Sequence, residues 1–109
     1  MIIKKPSILI YTFHPDKEIL REICAGVEEE GVFYEISEQT VSDVDELCWL
    51  AANDSMLGSG IGVSESRAAL QMRGVLKGHS LEVYDRPDKK ACRKLGANSA
   101  RAIKKQPFK

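Results

Sequence analysis

The chain combines short runs of continuous apolar residues with longer segments in which apolar residues return every three or four positions. The run SILIYTF at 7–13 is typical of a buried β-strand. The next segment, PDKEILREICAGV, predicts a helix from Pro15 to Glu30 with one buried stripe. The residues of this stripe are Ile19, Leu20, Ile23, Cys24 and Val27. Only Gly31 separates the helix from a second strand, VFYEIS at 32–37, which predicts a βαβ unit with parallel strands.

Two more helices are predicted further along the chain. The segment SDVDELCWLAAN at 42–53 begins with Ser42 as its capping residue. Its core-facing residues are Val44, Leu47, Cys48 and Ala51. The last helix is predicted at 88–104 and ends before Pro107. Its inward residues are Ala91, Leu95, Ala102 and Ile103.

Short strands are predicted at 60–64 and 81–85. Between them, RAALQMRG at 67–74 is ambiguous, because its composition favours a helix but the segment is short and closed by a glycine. Helices that alternate with strands indicate an α/β fold whose mostly parallel sheet is covered on both faces. We therefore predict a single three-layer α/β/α domain over residues 1–109.

Charge and cysteine content narrow the possible functions. Sixteen basic residues balance sixteen acidic ones, which argues against a general nucleic-acid-binding protein. No apolar stretch of the sequence is long enough to span a membrane. Cys24, Cys48 and Cys92 form no CxxC pair, and His14 and His79 stand alone, so neither a zinc site nor a disulfide framework is expected. We interpret the cysteines as small buried hydrophobic residues and expect a cytoplasmic protein.

Other stretches contain residues that could support chemistry. GSGIG at 58–62 lacks the spacing of a nucleotide-binding loop, and glycines that enter a strand or that allow close backbone approach explain it adequately. Ser64, Glu65 and Ser66 lie near a predicted strand end, but nothing in the sequence pairs a serine with a histidine base. A basic patch on the last helix fits either a phosphate or acidic partner or a solvated face. Its residues are Lys89, Lys90, Arg93, Lys94, Arg101, Lys104 and Lys105.

The segment GVEEEG at 26–31 places three carboxylates at the end of the first helix, where the helix dipole is negative. On a helical wheel the core stripe is centred between Leu20 and Ile23, Glu30 borders it, and Glu29 points nearly away from it. The other residues placed on the outward side are Glu18, Glu22, Ala25 and Gly26. This side is either a solvated face or a docking face on which small residues admit a partner and a carboxylate contacts a cation.

Two stretches resemble a known family. GVEEEGVFYEI follows the first strand and helix, and LGANSARAIKKQPF contains the last helix. They are similar to the small subunit of the reactivating factor for coenzyme B12-dependent diol and glycerol dehydratases, which has a G-[IV]-EEEG-[IV] segment and a G-x-N-x-A-R-x-x-K-x-x-P-F ending. The residues that match this ending are Gly96, Asn98, Ala100, Arg101, Lys104, Pro107 and Phe108. The middle segment GSGIGVSESRAALQMRGVLKG resembles the wider superfamily, which includes the dehydratase medium subunit.

This resemblance implies a mixed five-stranded sheet in which RAALQMR is an antiparallel strand. It also implies a subunit without catalytic activity that binds a larger, Hsp70-like ATPase subunit and exchanges with the dehydratase medium subunit, so that damaged cobalamin is released. Glu29, the middle glutamate, is implied to help coordinate Mg²⁺ at the interface with the large subunit. Neither cobalamin nor nucleotide is expected to bind this chain directly, and the expected location is the cytoplasm or a bacterial microcompartment within it.

Two other functions were weighed against this one. The chain could be the medium subunit of a B12-dependent dehydratase, contributing to the cofactor-binding face, although that subunit usually has extra segments for which 109 residues leave no room. An unrelated flavodoxin-like module would need a phosphate-binding loop after the first strand, and the turn TFHPDKE has no glycine to hold a phosphate.

Overall fold

Strands and helices alternate along residues 5–109, which the computed structural model describes. Short apolar runs form strands, and segments with helical spacing form helices. In chain order the elements are β1 (Ile8–Phe13), α1 (Lys17–Glu29), β2 (Tyr34–Glu38), α2 (Val44–Asp54), β3 (Ser59–Ser64), β4 (Arg67–Met72), β5 (Glu82–Asp85) and α3 (Lys89–Lys104). Among these residues, no helix has both the length and the apolar character that crossing a membrane requires.

The five strands form one mixed sheet in the order β2-β1-β3-β4-β5. β1 pairs in parallel with β2 and β3, so Ile10 lies opposite both Ile36 and Ile61. β4 is antiparallel to its neighbours β3 and β5 and so runs opposite to the other strands. The predicted α/β fold with a mixed five-stranded sheet is therefore confirmed.

The segment RAALQM forms strand β4, so the helix that its composition favours is wrong and the strand implied by the resemblance is confirmed. Ala68, Ala69, Leu70 and Gln71 are all buried, because the strand is sandwiched between helices on both faces of the sheet. Tertiary packing of this kind overrides the modest helix propensity of alanine, leucine and glutamine.

Helices α1 and α3 cover one face of the sheet, and α2 covers the other. The core under α1 and α3 contains mainly branched apolar side chains from three strands: Ile8, Ile10, Ile61, Val63, Ala68 and Leu70. On the opposite face, Val44 and Cys48 of α2 pack against Ala69.

Every residue of the predicted α1 stripe joins the core under α1 and α3 or packs against it. Of the four inward residues predicted for α3, only Leu95 is fully buried, because small residues at 96–100 occupy the centre of that contact.

Two glycines in β3 explain the GSGIG segment. A Cβ atom at Gly60 would lie 2.1 Å from the backbone nitrogen of Ala52, and one at Gly62 would lie 2.7 Å from that of Cys48. Helix α2 therefore rests directly on the backbone of β3, which confirms that these glycines allow close approach.

Each helix begins with an aspartate cap. The Asp16 carboxylate accepts hydrogen bonds from the backbone nitrogens of Glu18 and Ile19, both at 3.0 Å, and Asp88 caps α3 in the same manner. Helix α2 is capped by Asp43 and not by Ser42, which corrects the prediction. The backbone carbonyl of Ser42 instead accepts a hydrogen bond from the Ser64 hydroxyl at 2.6 Å, so Ser42 belongs to the turn before the helix.

Helices α1 and α3 touch backbone to backbone. A Cβ atom at Gly26 would lie 2.2 Å from the carbonyl oxygen of Arg93, and one at Gly96 would lie 2.0 Å from the carbonyl oxygen of Ile23. The two glycines therefore permit a helix contact that any other residue would push apart. This contact brings the acidic end of α1 against the basic half of α3.

Candidate functional site

Glu28 faces the sheet edge at the end of α1. Its carboxylate accepts a hydrogen bond from the Tyr34 hydroxyl of β2 at 2.6 Å. This bond is the main reason that the pKa of Tyr34 is raised, with burial as the second cause, because ionisation would place two negative groups together. Glu28 therefore joins α1 to β2 and lies apart from α3.

Glu30 lies at the end of the contact between α1 and α3. Its side chain is only 10% exposed and accepts from Arg101 Nε at 3.3 Å and Lys104 Nζ at 3.2 Å. Burial alone would raise the pKa of Glu30, but the Lys104 hydrogen bond and the Arg101 charge outweigh it, so the pKa is lowered. Glu30 is thus a structural carboxylate and not a free one.

Glu29 shares the guanidinium of Arg93 with Glu22. Arg93 Nε lies 2.9 Å from Glu22 Oε1, and its Nη1 atom lies 2.6 Å from Glu29 Oε1. Glu22 is buried, whereas the Glu29 side chain is 44% exposed. The second Glu29 oxygen, Oε2, lies 3.8 Å from Lys109 Nζ. One oxygen of Glu29 is therefore held by Arg93 at hydrogen-bond distance, and the other lies near the more distant ammonium of Lys109.

These contacts account for three glutamates at the negative end of a helix. The last turn of α1 contains no basic residue of its own. Helix α3 supplies the missing positive charge, and Lys104 also donates to the backbone carbonyl of Glu30 at 2.9 Å, where the helix ends. Three residues of the basic patch on α3 pair with acids of the same chain: Arg93, Arg101 and Lys104. This part of the patch is therefore neither a phosphate site nor a purely solvated face.

The residues of the predicted docking face lie on two different sides of α1, one accessible and one buried. Glu18, Ala25 and Glu29 lie on the accessible side of α1. The outward placement of Glu22 and Gly26 is wrong, because both are buried against α3. The wheel misplaced them because it considered only the core stripe of α1 and could not include a second helix packed beside it.

Sequence reasoning did not predict the roles of three residues that shape this site: Arg93 and Asn98, which it had singled out for other reasons, and Lys109. Asn98 is fully buried, and its side-chain oxygen accepts the backbone N–H of Lys109 at 2.8 Å. The sequence did contain a signal for this contact. The acidic end of the first helix and the basic last helix each contain a glycine that permits close contact. Pairing the two would have predicted the ion pairs, although not their geometry.

The other candidates have structural roles. The three cysteines are buried and unpaired with one another, as predicted. Burial raises the pKa of both Cys48 and Cys92 to about 11, which keeps these thiols neutral near pH 7. His14 and His79 are exposed loop residues, as predicted.

A magnesium ion needs oxygen ligands and often takes only one or two of them from protein carboxylates. Among residues 5–109, no cluster of three or more His, Cys, Asp or Glu could hold a metal ion. Glu29 offers one half-exposed carboxylate whose Oε2 atom makes only a long contact, 3.8 Å, with Lys109 Nζ. This donor suits a shared magnesium site, in which a partner or water supplies the remaining oxygens.

Comparison with known proteins identifies the family. A family model described as dehydratase medium subunit matches residues 5–109. This chain belongs to the dehydratase medium subunit family. The two segments on which the resemblance rested are the two that meet at the contact of α1 with α3.

Within this family, the chain is similar to small subunits of reactivating factors. The propanediol dehydratase-reactivating factor small subunit of Citrobacter freundii is 31% identical over 105 residues, covering 95% of this chain and 90% of the relative. The corresponding subunit of Salmonella typhimurium is 27% identical with the same coverage. The diol dehydratase-reactivating factor small subunit of Klebsiella michiganensis is 28% identical and covers 95% and 84% of the two chains.

Solved structures agree with the sequence relatives. A structure of diol dehydratase-reactivating factor complexed with ADP and Mg²⁺ matches with a TM-score of 0.90 and 27% identity, covering 97% of this chain and 99% of the other. A glycerol dehydratase reactivase matches with a TM-score of 0.91 and 26% identity, covering 96% and 97%. The resemblance to the reactivating factor is therefore confirmed, and the dehydratase medium subunit itself is not favoured.

Proposed function

We propose that this chain is the non-catalytic small subunit of a reactivating factor that releases damaged cobalamin from inactivated diol or glycerol dehydratase. The observation that supports this most strongly is the full-length structural match to two reactivating factors, one for each dehydratase. In this proposal a larger, Hsp70-like subunit hydrolyses ATP, and the small subunit exchanges with the dehydratase medium subunit, whose family it shares. The complex acts in the cytoplasm or in a microcompartment within it.

The accessible side of α1 is the proposed docking face for the large subunit. It contains Glu18, Ala25 and Glu29. Glu22 and Gly26 lie on the buried side of the helix, where they hold α1 against α3. The small side chain of Ala25 leaves room for a partner to approach the helix closely. Arg93 holds one oxygen of Glu29 in a fixed position, so the docking face presents a carboxylate with a defined orientation.

Glu29 is proposed to supply one oxygen ligand to a magnesium ion shared with the large subunit. When bound there, Mg²⁺ would supply an electrostatic bridge between the Glu29 carboxylate and oxygen ligands of the partner. The Arg93 contact leaves Oε2 as the available oxygen. The presence of ADP and Mg²⁺ in a similar reactivating factor supports this proposal.

Co-expression with the large ATPase subunit of a reactivating factor tests the proposal. Size-exclusion chromatography with Mg²⁺ and ADP should give a stable complex, and ATP should loosen it. Glu29→Gln should weaken Mg²⁺-dependent association by at least about tenfold, as expected when a metal site loses a ligand or its support. Glu18→Gln is the matched control for Mg²⁺ dependence, because it removes an exposed carboxylate of the same docking face that is not proposed to bind the metal, so any loss of association that it causes should not depend on Mg²⁺. Equal effects of the two variants would contradict the metal role of Glu29.

The dehydratase medium subunit is the second candidate function, since the matching family model is described by that name. It predicts that this chain assembles with the large and small subunits of a dehydratase into an active enzyme. If this assembly forms, and the ATPase subunit does not bind, the chain belongs to the dehydratase itself.

A further inference from the structure

The ammonium of Lys109 is near Glu29 at the position where a partner's cation would approach. Lys109 Nζ lies 3.8 Å from Glu29 Oε2 and 3.9 Å from Glu30 Oε2. The opposite oxygen of Glu29, Oε1, accepts a hydrogen bond from Arg93 Nη1 at 2.6 Å. Both oxygens of this half-exposed carboxylate therefore already face positive groups of the same chain.

The last residues reach this position because α3 holds them there. Lys105 ends α3 in a left-handed conformation, with φ of 56°, and turns the chain back along the helix. Arg101 Nη1 then donates to the carbonyl oxygen of Pro107 at 3.1 Å, and the Asn98 side-chain oxygen accepts from the backbone nitrogen of Lys109 at 2.8 Å. Asn98 is fully buried, so it uses a fixed side chain to hold the tail formed by residues 105–109.

The two positive groups on Glu29 differ in how easily they can leave. Arg93 is part of α3, and its guanidinium also holds the buried Glu22 carboxylate at 2.9 Å. Lys109 lies beyond the end of α3, its side chain is 43% exposed, and its distance to Glu29 exceeds that of a hydrogen bond. Displacing Lys109 therefore disturbs two long ion pairs, to Glu29 and Glu30, whereas displacing Arg93 would leave the buried Glu22 carboxylate without its close partner.

We propose that Lys109 is an internal counter-ion of Glu29 that a divalent cation displaces when the subunit docks. This inference rests on the proposed shared magnesium site. In the free subunit, the tail 105–109 keeps positive charge on Glu29 and so reduces repulsion with the neighbouring Glu30. On docking, the metal takes the Oε2 atom, and the tail 105–109 moves away together with the Lys109 side chain while Arg93 stays in place.

The test measures how the Mg²⁺ concentration for half-maximal association with the large subunit depends on this lysine. Lys109→Gln should lower that concentration about threefold, since one weak competing ion pair is lost. Lys109→Arg keeps the charge and should leave it near the wild-type value. Lys105→Gln is the matched control, because it removes the same charge from the same tail at a residue that does not pair with Glu29 among the described ion pairs.

The outcomes separate this inference from the proposed function. If Glu29→Gln abolishes Mg²⁺ dependence but Lys109→Gln and Lys105→Gln behave alike, the metal site stands and the counter-ion role is overturned. If Glu29→Gln leaves Mg²⁺ dependence intact, the metal site itself is wrong. Amide hydrogen exchange at Lys109 gives a second readout, because its N–H is bonded to Asn98 in the free subunit. Lower protection in the Mg²⁺-bound complex supports displacement of the tail, and increased protection overturns it.

Discussion

Arg93 and Glu22 form an ion pair across 71 positions of sequence, with Nε 2.9 Å from Oε1. Glu22 is buried between two helices, and Arg93 is the closest positive group to its carboxylate. The pair exists because glycines let the backbones of α1 and α3 meet at this level. It also fixes the guanidinium that orients Glu29, so a buried structural contact sets the geometry of the proposed docking face.

Removing this guanidinium should destabilise the protein. In Arg93→Ala, the remaining basic partner of the buried Glu22 carboxylate among the described ion pairs is Arg21, whose Nε lies 4.0 Å away. Because a buried carboxylate then lacks a close partner, the free energy of unfolding should fall by about 2 kcal/mol. Urea unfolding followed by circular dichroism measures the change. Arg21→Ala is the control and should cost less than about 0.5 kcal/mol, because the pair of Arg21 with Glu18 is exposed and its contact with Glu22 is long, at 4.0 Å. Equal losses in the two variants would show that burial of Glu22 is unimportant.

Gly26→Ala should destabilise the protein although alanine is the better helix former. Helix propensity alone favours the alanine by about 1 kcal/mol. The added Cβ would lie 2.2 Å from the Arg93 carbonyl oxygen, so we expect a net loss of about 1 to 3 kcal/mol from overpacking. Ala25→Gly on the same helix measures the propensity effect without this contact. If Gly26→Ala instead raises the urea midpoint, the close approach of α1 and α3 is contradicted.

Glu30 should contribute stability that depends on pH. Its pKa in the folded protein is lowered from the ordinary value of 4.5, so its ion pairs stabilise the fold above that value. This contribution is lost as the pH falls through the folded pKa. The wild type should therefore exceed Glu30→Gln in stability at neutral pH, and the difference should shrink at acidic pH. Unfolding curves over a pH series test this, and a difference that grows on acidification has the wrong sign.

The thiols should be unreactive in the native protein. All three cysteines are buried, and burial raises the pKa of Cys48 and Cys92 to about 11. A disulfide reagent at about pH 8 should label almost none of them until denaturant is added, because the reactive thiolate is both scarce and inaccessible. Absorbance of the released thiolate reports the labelling. Rapid labelling of a single cysteine before unfolding would indicate local opening around that residue.

The sequence alone was sufficient for most of the architecture. Apolar spacing located the helices and all strands but β4, since burial on one face or both faces imposes periods that are local in sequence. Segment β4 was the exception. Its alanines and leucine suit a helix, and only its position between β3 and β5, with helices on both faces, makes it a strand.

In the candidate site, too, some residue positions were predicted from the sequence and others were not. The accessible position of Glu29 was predicted from the period of one helix, because the core stripe defines the opposite side. The inward positions of Glu22 and Gly26 were not predicted, since they depend on α3, which lies far away in sequence. The sequence by itself determined which segments form helices and strands and which residues carry charge. Only the tertiary structure decided which charges meet, because packing two glycine-containing helices together brings partners from distant positions within a few ångströms.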